Sequence, residues 1–374
     1  MKIRRVEPIA VRIPMKKPVV MAGVEIRTAE NVLVRLEGDG GCVGWGEAAS
    51  APTMTGETIE SMLAAIAYLS PALIGEAASD IADLLARLNS RMYGNYGAKA
   101  AIEIALHDLI GRVTGRPAYD LLGGKKRNRM AVLAVIGTGD IGSDLEQAQS
   151  QKEQGYTAVK IKVGIDKPLR EAERTRAICD RIGAGSLISA DANQGYGTQQ
   201  AVQYVQALAG SRLDFLEQPV RGDDIAGMAE VAAAARDIAI GADEGIHSLH
   251  DIRLHHDRRA ARGASLKTIK LCGMRGVLEA GRLCDSLGMK VNVAAKTGES
   301  SIACAAAMHI AAALPQIDWG LTLTQHGLAD DLTRRPIPIA AGHVELLEGP
   351  GLGVDVDEER VRRYRCDMPV QAVA

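Results

Sequence analysis

From Met130 to about residue 323 the chain alternates short apolar runs with amphipathic helical segments, and three of those runs end in an acid. The acids are Asp191, Glu217 and Asp243, evenly spaced (217 − 191 and 243 − 217 are both 26). An interval of that size holds one strand, one helix and two short loops, so successive acids project from neighbouring parallel strands into one place. The predicted strands cover 130–137, 157–163, 186–191, 213–217, 238–243, 265–271, 290–295 and 317–323. Seven or eight such repeats, with runs such as Val132-Leu-Ala-Val-Ile136 read as buried on both faces, favour a closed parallel barrel. A doubly wound open sheet is the alternative. It requires a glycine fingerprint between a strand and a helix, whereas Gly349-Pro-Gly-Leu-Gly353 lies past the repeats and precedes no helix.

The first 50 residues alternate differently. Arg4 to Ile13, Asn31 to Leu36 and Cys42 to Glu47 read as a small antiparallel sheet turned at Gly38-Asp-Gly-Gly41. Helical patterns follow at about 56–69, 79–92 and 97–115, and Gly123-Gly124 with Lys125-Lys-Arg127 marks a boundary. The expected organisation is therefore α/β: an α+β capping domain over 1–125, a barrel over 126–325, and a tail over 326–374 whose Ile337 to Leu347 stretch packs back on the first domain.

Formal charge is −2 from 44 basic and 46 acidic side chains, which gives no field for nucleic acid or an anionic membrane, and 3% aromatic content offers no stacking platform. A small molecule is the expected partner. Six scattered cysteines without a Cys-x-x-Cys pair argue against a zinc cluster and a disulfide framework, and point to a reducing cytoplasm. The charged start, Met1 to Glu7, is unlike a signal peptide, and Ile302 to Leu314 is too short to span a bilayer. That Ala-rich segment offers a face for a second subunit in a homo-oligomer, and its His309 reads as a core or interface histidine. His247, His250, His255 and His256 read as solvent-facing, and Asp223-Asp224 and Asp330-Asp331 as caps or loop punctuation.

Three carboxylates converging at a barrel mouth repel one another unless a divalent cation lies between them, and oxygen donors suit Mg²⁺, or Mn²⁺, better than Zn²⁺. Lysines bracket the trio: Lys160 and Lys162 in Thr157-Ala-Val-Lys-Ile-Lys-Val-Gly164, and Lys267 in Ser265-Leu-Lys-Thr-Ile-Lys-Leu271. A cation drawing charge from a substrate carboxylate acidifies the adjacent C–H, because the enolate formed on deprotonation is stabilised. A lysine base must then be neutral, and neighbouring positive charge favours that form. Lys160 and Lys162 share one face of a strand, so Lys162 fits the role of base. Lys267, roughly across the barrel, would take or return a proton on the other face, with solvation beside Lys270 as the ordinary alternative.

These residues resemble the enolase superfamily, and within it the muconate lactonizing enzyme subgroup of the mandelate racemase/muconate lactonizing enzyme family. The matching pieces are Gly44-Trp-Gly-Glu47, Ala98 to Asp108, Leu121-Leu-Gly-Gly124, Lys160-Ile-Lys162, Asp191-Ala-Asn193, Glu217-Gln-Pro219, Ala242-Asp-Glu244, Lys267-Thr-Ile-Lys270 and Gly298-Glu299. The resemblance implies a modified (β/α)7β barrel under a capping domain. It also implies metal on the three acids, Lys162 and Lys267 as acid and base, Lys160 as auxiliary lysine, Asn193 and Glu299 as supporting groups, and substrate choice by capping loops near 20–28 and 50–56. Two positions depart from the pattern. Lys296 stands where mandelate-type relatives carry a histidine, which leaves it as an exposed lysine or a substrate-anion contact. Cys272-Gly273 replaces a pair of glycines. The eighth strand, Trp319 to Thr324, lacks the Asp-x-Asp of dipeptide epimerases, and His326 beyond it reads as a loop histidine. The expected activity is a divalent-metal-dependent isomerase of carboxylates through a metal-stabilised enolate, either a racemase/epimerase or a muconate-type cycloisomerase. A lyase of the o-succinylbenzoate synthase or hydroxy-acid dehydratase kind is the alternative, and a non-catalytic binding protein on the same fold a remote one.

Overall fold

The computed structural model describes residues 1–21 and 24–367. Residues 22 and 23, within the expected 20–28 loop, lie outside the described residues. An antiparallel sheet opens the chain, with β1 (Ile3–Met21), β2 (Val24–Gly38) and β3 (Val43–Ala49) in that order. Three helices cover it: α1 (Ile59–Leu69), started by a Thr58/Ser61 capping box, α2 (Ile81–Arg91), capped by Asp80, and α3 (Tyr96–Thr114), stopped by left-handed Gly115. Helix α3 is buried from Gly97 through Gly111 and lies close against β3 because Gly44 and Gly46 carry no side chain. A Cβ at Gly46 would fall 2.0 Å from the Ala101 carbonyl oxygen.

After α4 (Ala118–Leu121) and β4 (Arg129–Ala131), the barrel is built as β5 (Ala134–Ile136), α5 (Ile141–Glu153), β6 (Ala158–Lys162), α6 (Pro168–Ile182), β7 (Leu187–Asp191), α7 (Thr198–Ala207), β8 (Phe215–Glu217), α8 (Ile225–Ala234), β9 (Ala239–Ala242), α9 (Leu249–Asp257), β10 (Gly263–Leu266), α10 (Met274–Ser286), β11 (Lys290–Ala294), α11 (Ser301–Ala313) and β12 (Leu321–Thr322). The strands pair in parallel in sequence order, and the ring closes through a parallel bridge between Val132 and Leu321. This is the (β/α)7β barrel, and its strands are buried on both faces as parallel strands require. Val135 departs from that expectation at 37% exposed.

Four further expectations are corrected. Strand β10 ends at Leu266, so 267–271 form a turn and Lys267 and Lys270 are both buried rather than solvated. All thirteen residues of α11 are buried within this one chain, so the helix is an internal layer and not a free face for a second subunit. His255 is buried and its Nδ1–H donates to the Asp251 carbonyl, 2.8 Å away, because α9 turns that face inward. The Ile337–Leu347 stretch packs on the barrel: β13 (His343–Glu345) pairs with β4, and Ile337 N–H donates to Ser301 Oγ. It is the flanking residues that return to the first domain, Leu328 bridging Met15, Leu352 N–H bonding Asp108, and Cys366 N–H, beyond α12 (Glu358–Tyr364), bonding the Ala10 carbonyl.

Acids of the capping layer fasten it over the C-terminal ends of the strands. Glu103 of α3 accepts from the first amides of α10, Met274 at 2.7 Å and Arg275 at 3.1 Å. Glu47 of β3 accepts from Ser300 N–H at 3.0 Å, Ala303 N–H at 3.0 Å and Ser300 Oγ–H at 2.6 Å, at the start of α11. A carboxylate at a helix N-terminus satisfies unpaired amides and meets the positive end of the helix dipole. Among the described residues no helix is long and apolar enough to cross a membrane.

Candidate active site

Strand register sets Asp191 and Glu217 on one level and brings Asp243 in two residues further along. Lys162 pairs with Asp191 and Asp191 with Glu217, while Glu217 pairs with Gly241, two residues before Asp243. Lys160 and Lys162 alternate with Val159 and Ile161, so both project into the barrel. Each acid then meets a lysine. Lys160 Nζ donates to Glu217 Oε2 at 2.5 Å and lies 3.8 Å from Asp191, and Lys162 Nζ donates to Asp191 Oδ2 and Asn193 Oδ1, each at 2.7 Å. Lys267 Nζ donates to Asp243 Oδ2, and Lys270 Nζ to Asp243 Oδ1 at 2.7 Å.

The backbone around these groups is strained. Asn193 (φ 42°), Gln194 (68°), Gln218 (35°) and Cys272 (62°) occupy the left-handed region without being glycine, at about 1–2 kcal/mol each. At Gln218 the side chain shows what the strain achieves. Fully buried, it accepts from Asp243 N–H (2.8 Å) and Gly245 N–H (3.1 Å) and donates to the Val220 carbonyl (2.9 Å), fixing the height of Asp243. Gln218, Lys270 and Glu244 are the members that sequence reasoning passed over. Their signal was adjacency to the acids and to Lys267, without any pattern that marks burial. Gly273, after Cys272, leaves room for Glu103, whose Oε2 would be 2.4 Å from a Cβ there.

Burial and charge set the protonation of the cluster. Burial alone would raise Asp191, but Lys162 and Lys160 outweigh it and hold its carboxyl below the usual range. Asp243 is likewise depressed, burial being overcome by Lys267 and Lys270. Glu217 is raised, first by burial, with Asp191 and Asp243 adding repulsion that Lys160 does not cancel. Glu244 is pushed up to about 7 by burial and by Asp243, and its Oε1 accepts from Asn193 Nδ2. Burial works to lower Lys160 and Lys267, yet the carboxylates prevail and raise both, Glu217 and Asp191 in the first case and Asp243, Glu244 and Glu217 in the second. Neutral lysine therefore does not arise from lysine–lysine repulsion alone, as the sequence suggested.

Lys296 follows β11, half-buried, its N–H donating to Glu299 Oε2 at 2.8 Å. Burial and the charge of Lys267 lower it to about 8. Glu299, pushed up to about 8 by burial and Glu47, also accepts from Ala49 N–H of β3. His326 is exposed, and its carbonyl accepts from Lys16.

With the lysines interposed, no three His, Cys, Asp or Glu side chains among the described residues stand at ligating distances from one point. The donor set nonetheless fits a divalent cation: three buried carboxylates that repel one another, with Glu217 Oε1 buried and without a partner.

Residues 3–123 match the family described as the mandelate racemase/muconate lactonizing enzyme N-terminal domain, and residues 144–360 match the enolase C-terminal domain-like family. The chain belongs to the mandelate racemase/muconate lactonizing enzyme family. Similar curated proteins include the chloromuconate cycloisomerase of Cupriavidus pinatubonensis, 32% identical over 95% of this chain and 96% of that one. The L-Ala-D/L-Glu epimerase of Bacillus subtilis is 31% identical over 95% and 97%. Among solved structures, the muconate lactonizing enzyme from Pseudomonas fluorescens complexed with muconolactone superposes with a TM-score of 0.92 at 29% identity, covering 98% of this chain and 99% of that one. The chain is an isomerase of the muconate lactonizing enzyme subgroup, and membership implies a divalent metal ion.

Proposed function

We propose that the enzyme moves the proton α to a carboxylate of a small-molecule acid between two lysines, Lys162 and Lys267, and so racemises or epimerises that carbon. The observation that carries this is the placement of the two amines. Lys162 is anchored on Asp191 and Asn193, and Lys267 on Asp243, at opposite ends of the acid trio. Asp191, Glu217 and Asp243 would hold the cation, Mg²⁺ or Mn²⁺, which when bound supplies positive charge to the substrate carboxylate and so lowers the cost of the enolate. The α-proton passes to Lys162 Nζ as the C–H electron pair enters the enolate. Lys267, kept protonated by its carboxylates, delivers a proton to the opposite face. Reversing the roles returns the other stereoisomer. Asn193 positions Lys162, Lys160 offsets the charge of Glu217, and Glu299 steadies the backbone at Lys296.

Near-full-length similarity to chloromuconate cycloisomerases favours a second reading, in which ring closure of the diene acid gives the enolate and one lysine protonates it, the same lysine removing that proton in the reverse direction before the ring opens. Incubation of N-acyl amino acids and of cis,cis-muconate with enzyme and Mg²⁺ in D₂O decides. Deuterium at the α-carbon with both stereoisomers recovered supports two-base transfer, and a lactone from muconate supports the second reading. An unsaturated elimination product, or no exchange and no lactone across the panel, overturns both.

A further inference from the structure

The acid trio lies at the C-terminal ends of the strands, and the opposite end of the barrel is also concave. A cavity of about 1140 Å³ opens there, its lining including Leu187, Ala239 and Lys290, the first residues of β7, β9 and β11. Four neighbouring strands supply it with cations: Arg212 before β8, Arg236 before β9, Arg259 and Arg262 before β10, and Lys290 at the start of β11. All five are exposed, and among the described residues none makes an ion pair or a side-chain hydrogen bond. Three acids line the same cavity, Asp214, Asp237 and Asp318, and Asp214 Oδ2 already accepts from Ile188 N–H at 2.7 Å. The cavity therefore holds more positive charge than its own acids answer.

The backbone adds an independent observation. Each loop from α5 to β11 that returns a helix to the next strand contains a left-handed residue. Most use glycine: Gly155 (φ 83°), Gly183 and Gly185 (84° and 88°), Gly210 (71°) and Gly288 (67°). A Cβ at Gly185, Gly210 or Gly288 would meet nothing within 4 Å, so these glycines answer to backbone conformation and not to crowding. The two remaining loops place an arginine in that conformation, Arg236 (φ 49°) and Arg259 (φ 53°), and both line the cavity. A side chain held where glycine is easier is a cost that a ligand contact can repay.

We infer that this cavity is a second ligand site, separate from the active site, and that it binds a small polyanion of linked phosphates. Neighbouring strands are about 4.8 Å apart, so the cations that precede β8 to β11 spread over about 14 Å. A single phosphate or carboxylate meets one or two of them, whereas a chain of phosphates meets several at once. Arginine suits that role, because its planar fork donates two parallel hydrogen bonds to one phosphate group.

The test is equilibrium dialysis of the full-length enzyme, with Mg²⁺ present, against inorganic triphosphate, sulfate and adenosine triphosphate. One triphosphate per chain should bind, at least about tenfold more tightly than sulfate. Equal binding of the nucleotide means that the phosphates alone are recognised, and tighter binding assigns the anion to a nucleotide; both support the site. Two double variants separate charge from conformation. Arg236→Gln with Arg259→Gln should lower triphosphate affinity by about tenfold or more at an unchanged melting temperature. Arg236→Gly with Arg259→Gly should lose as much affinity while the melting temperature holds or rises, since glycine relieves the left-handed strain. Triphosphate held no more tightly than sulfate overturns the inference. So does affinity that survives both variants, which would place the anion at the metal centre, or a melting temperature that falls with the glycines, which would make the arginines structural. Preference for poly-glutamate over triphosphate would make the cavity a protein-docking face and likewise overturns it.

Discussion

Glu47 joins the capping sheet to the barrel, and its charge is set by a contest that can be measured. It accepts from Asn31 Nδ2 at 2.7 Å, from the Ser300 and Ala303 amides and from the Ser300 hydroxyl, all of which favour the carboxylate. Burial favours the neutral acid and prevails, with the group pushed up from 4.5 to about 7. The folded state then binds a proton that the unfolded chain has already lost between pH 4.5 and 7, so stability falls as pH rises through that window and is level above it. A rise of this size corresponds to about 3 kcal/mol at 1.36 kcal/mol per pH unit. Glu47→Gln keeps the shape but cannot ionise, and turning an amide against the Ser300 and Ala303 donors costs about 1–3 kcal/mol at low pH. Urea unfolding followed by fluorescence, in which Trp45 two residues away is 5% exposed, gives the difference between variant and natural protein at each pH. That difference should swing toward the variant by up to about 3 kcal/mol between pH 4.5 and 7. A difference independent of pH would mean that the donors outweigh burial and Glu47 is ionised throughout, and the reasoning fails. Glu299→Gln, by the same logic, should swing up to about pH 8, where Glu299 lies.

Lys162→Ala and Lys267→Ala should each lower turnover by about 10²- to 10⁴-fold, and each should remove α-deuterium exchange for one enantiomer before the other; equal loss for both enantiomers speaks against a two-base division. Mg²⁺ at 100 times its dissociation constant should stabilise the protein by about 2.7 kcal/mol in thermal unfolding, and Glu217→Gln should abolish that gain; an undiminished gain places the ion elsewhere. Gly46→Ala would put a methyl 2.0 Å from the Ala101 carbonyl oxygen, and α3 must move, so the melting temperature should fall by several degrees; an unchanged value refutes the close packing of α3 on β3.

The acids and the flanking lysines were legible in the sequence because charge is rare inside strands that are apolar on both faces. Where an acid closes each of three evenly spaced runs, register brings Asp191 and Glu217 to one level, and Asp243 follows two residues past the partner of Glu217. Lys270 and Gln218 were not legible. The run 265–271 reads as one strand, but the chain leaves the sheet after Leu266, and the turn swings Lys270 beneath Asp243, where it also bonds the Ser265 carbonyl. Gln218 is a polar residue beside an acid until its φ and its three hydrogen bonds are known. Helix α11 illustrates a different limit. A segment apolar all round must be buried, but its sequence does not say whether the same chain or another covers it.

The fastening of the capping layer is asymmetric with respect to the two lysines. Lys162 is fixed by barrel groups alone: Asp191, Asn193, and Arg174, which donates to its carbonyl at 2.6 Å. Lys267 and Lys296 precede α10 and α11, and those are the helices whose first amides are held by Glu103 and Glu47 of the cap. Any displacement of the cap therefore reaches the Lys267 and Lys296 side directly, whereas Lys162 is insulated by the strand register of β6 and β7. The cap is thus mechanically linked to the side of the barrel mouth that carries Lys267 and Lys296, while Lys162 is held by the barrel alone.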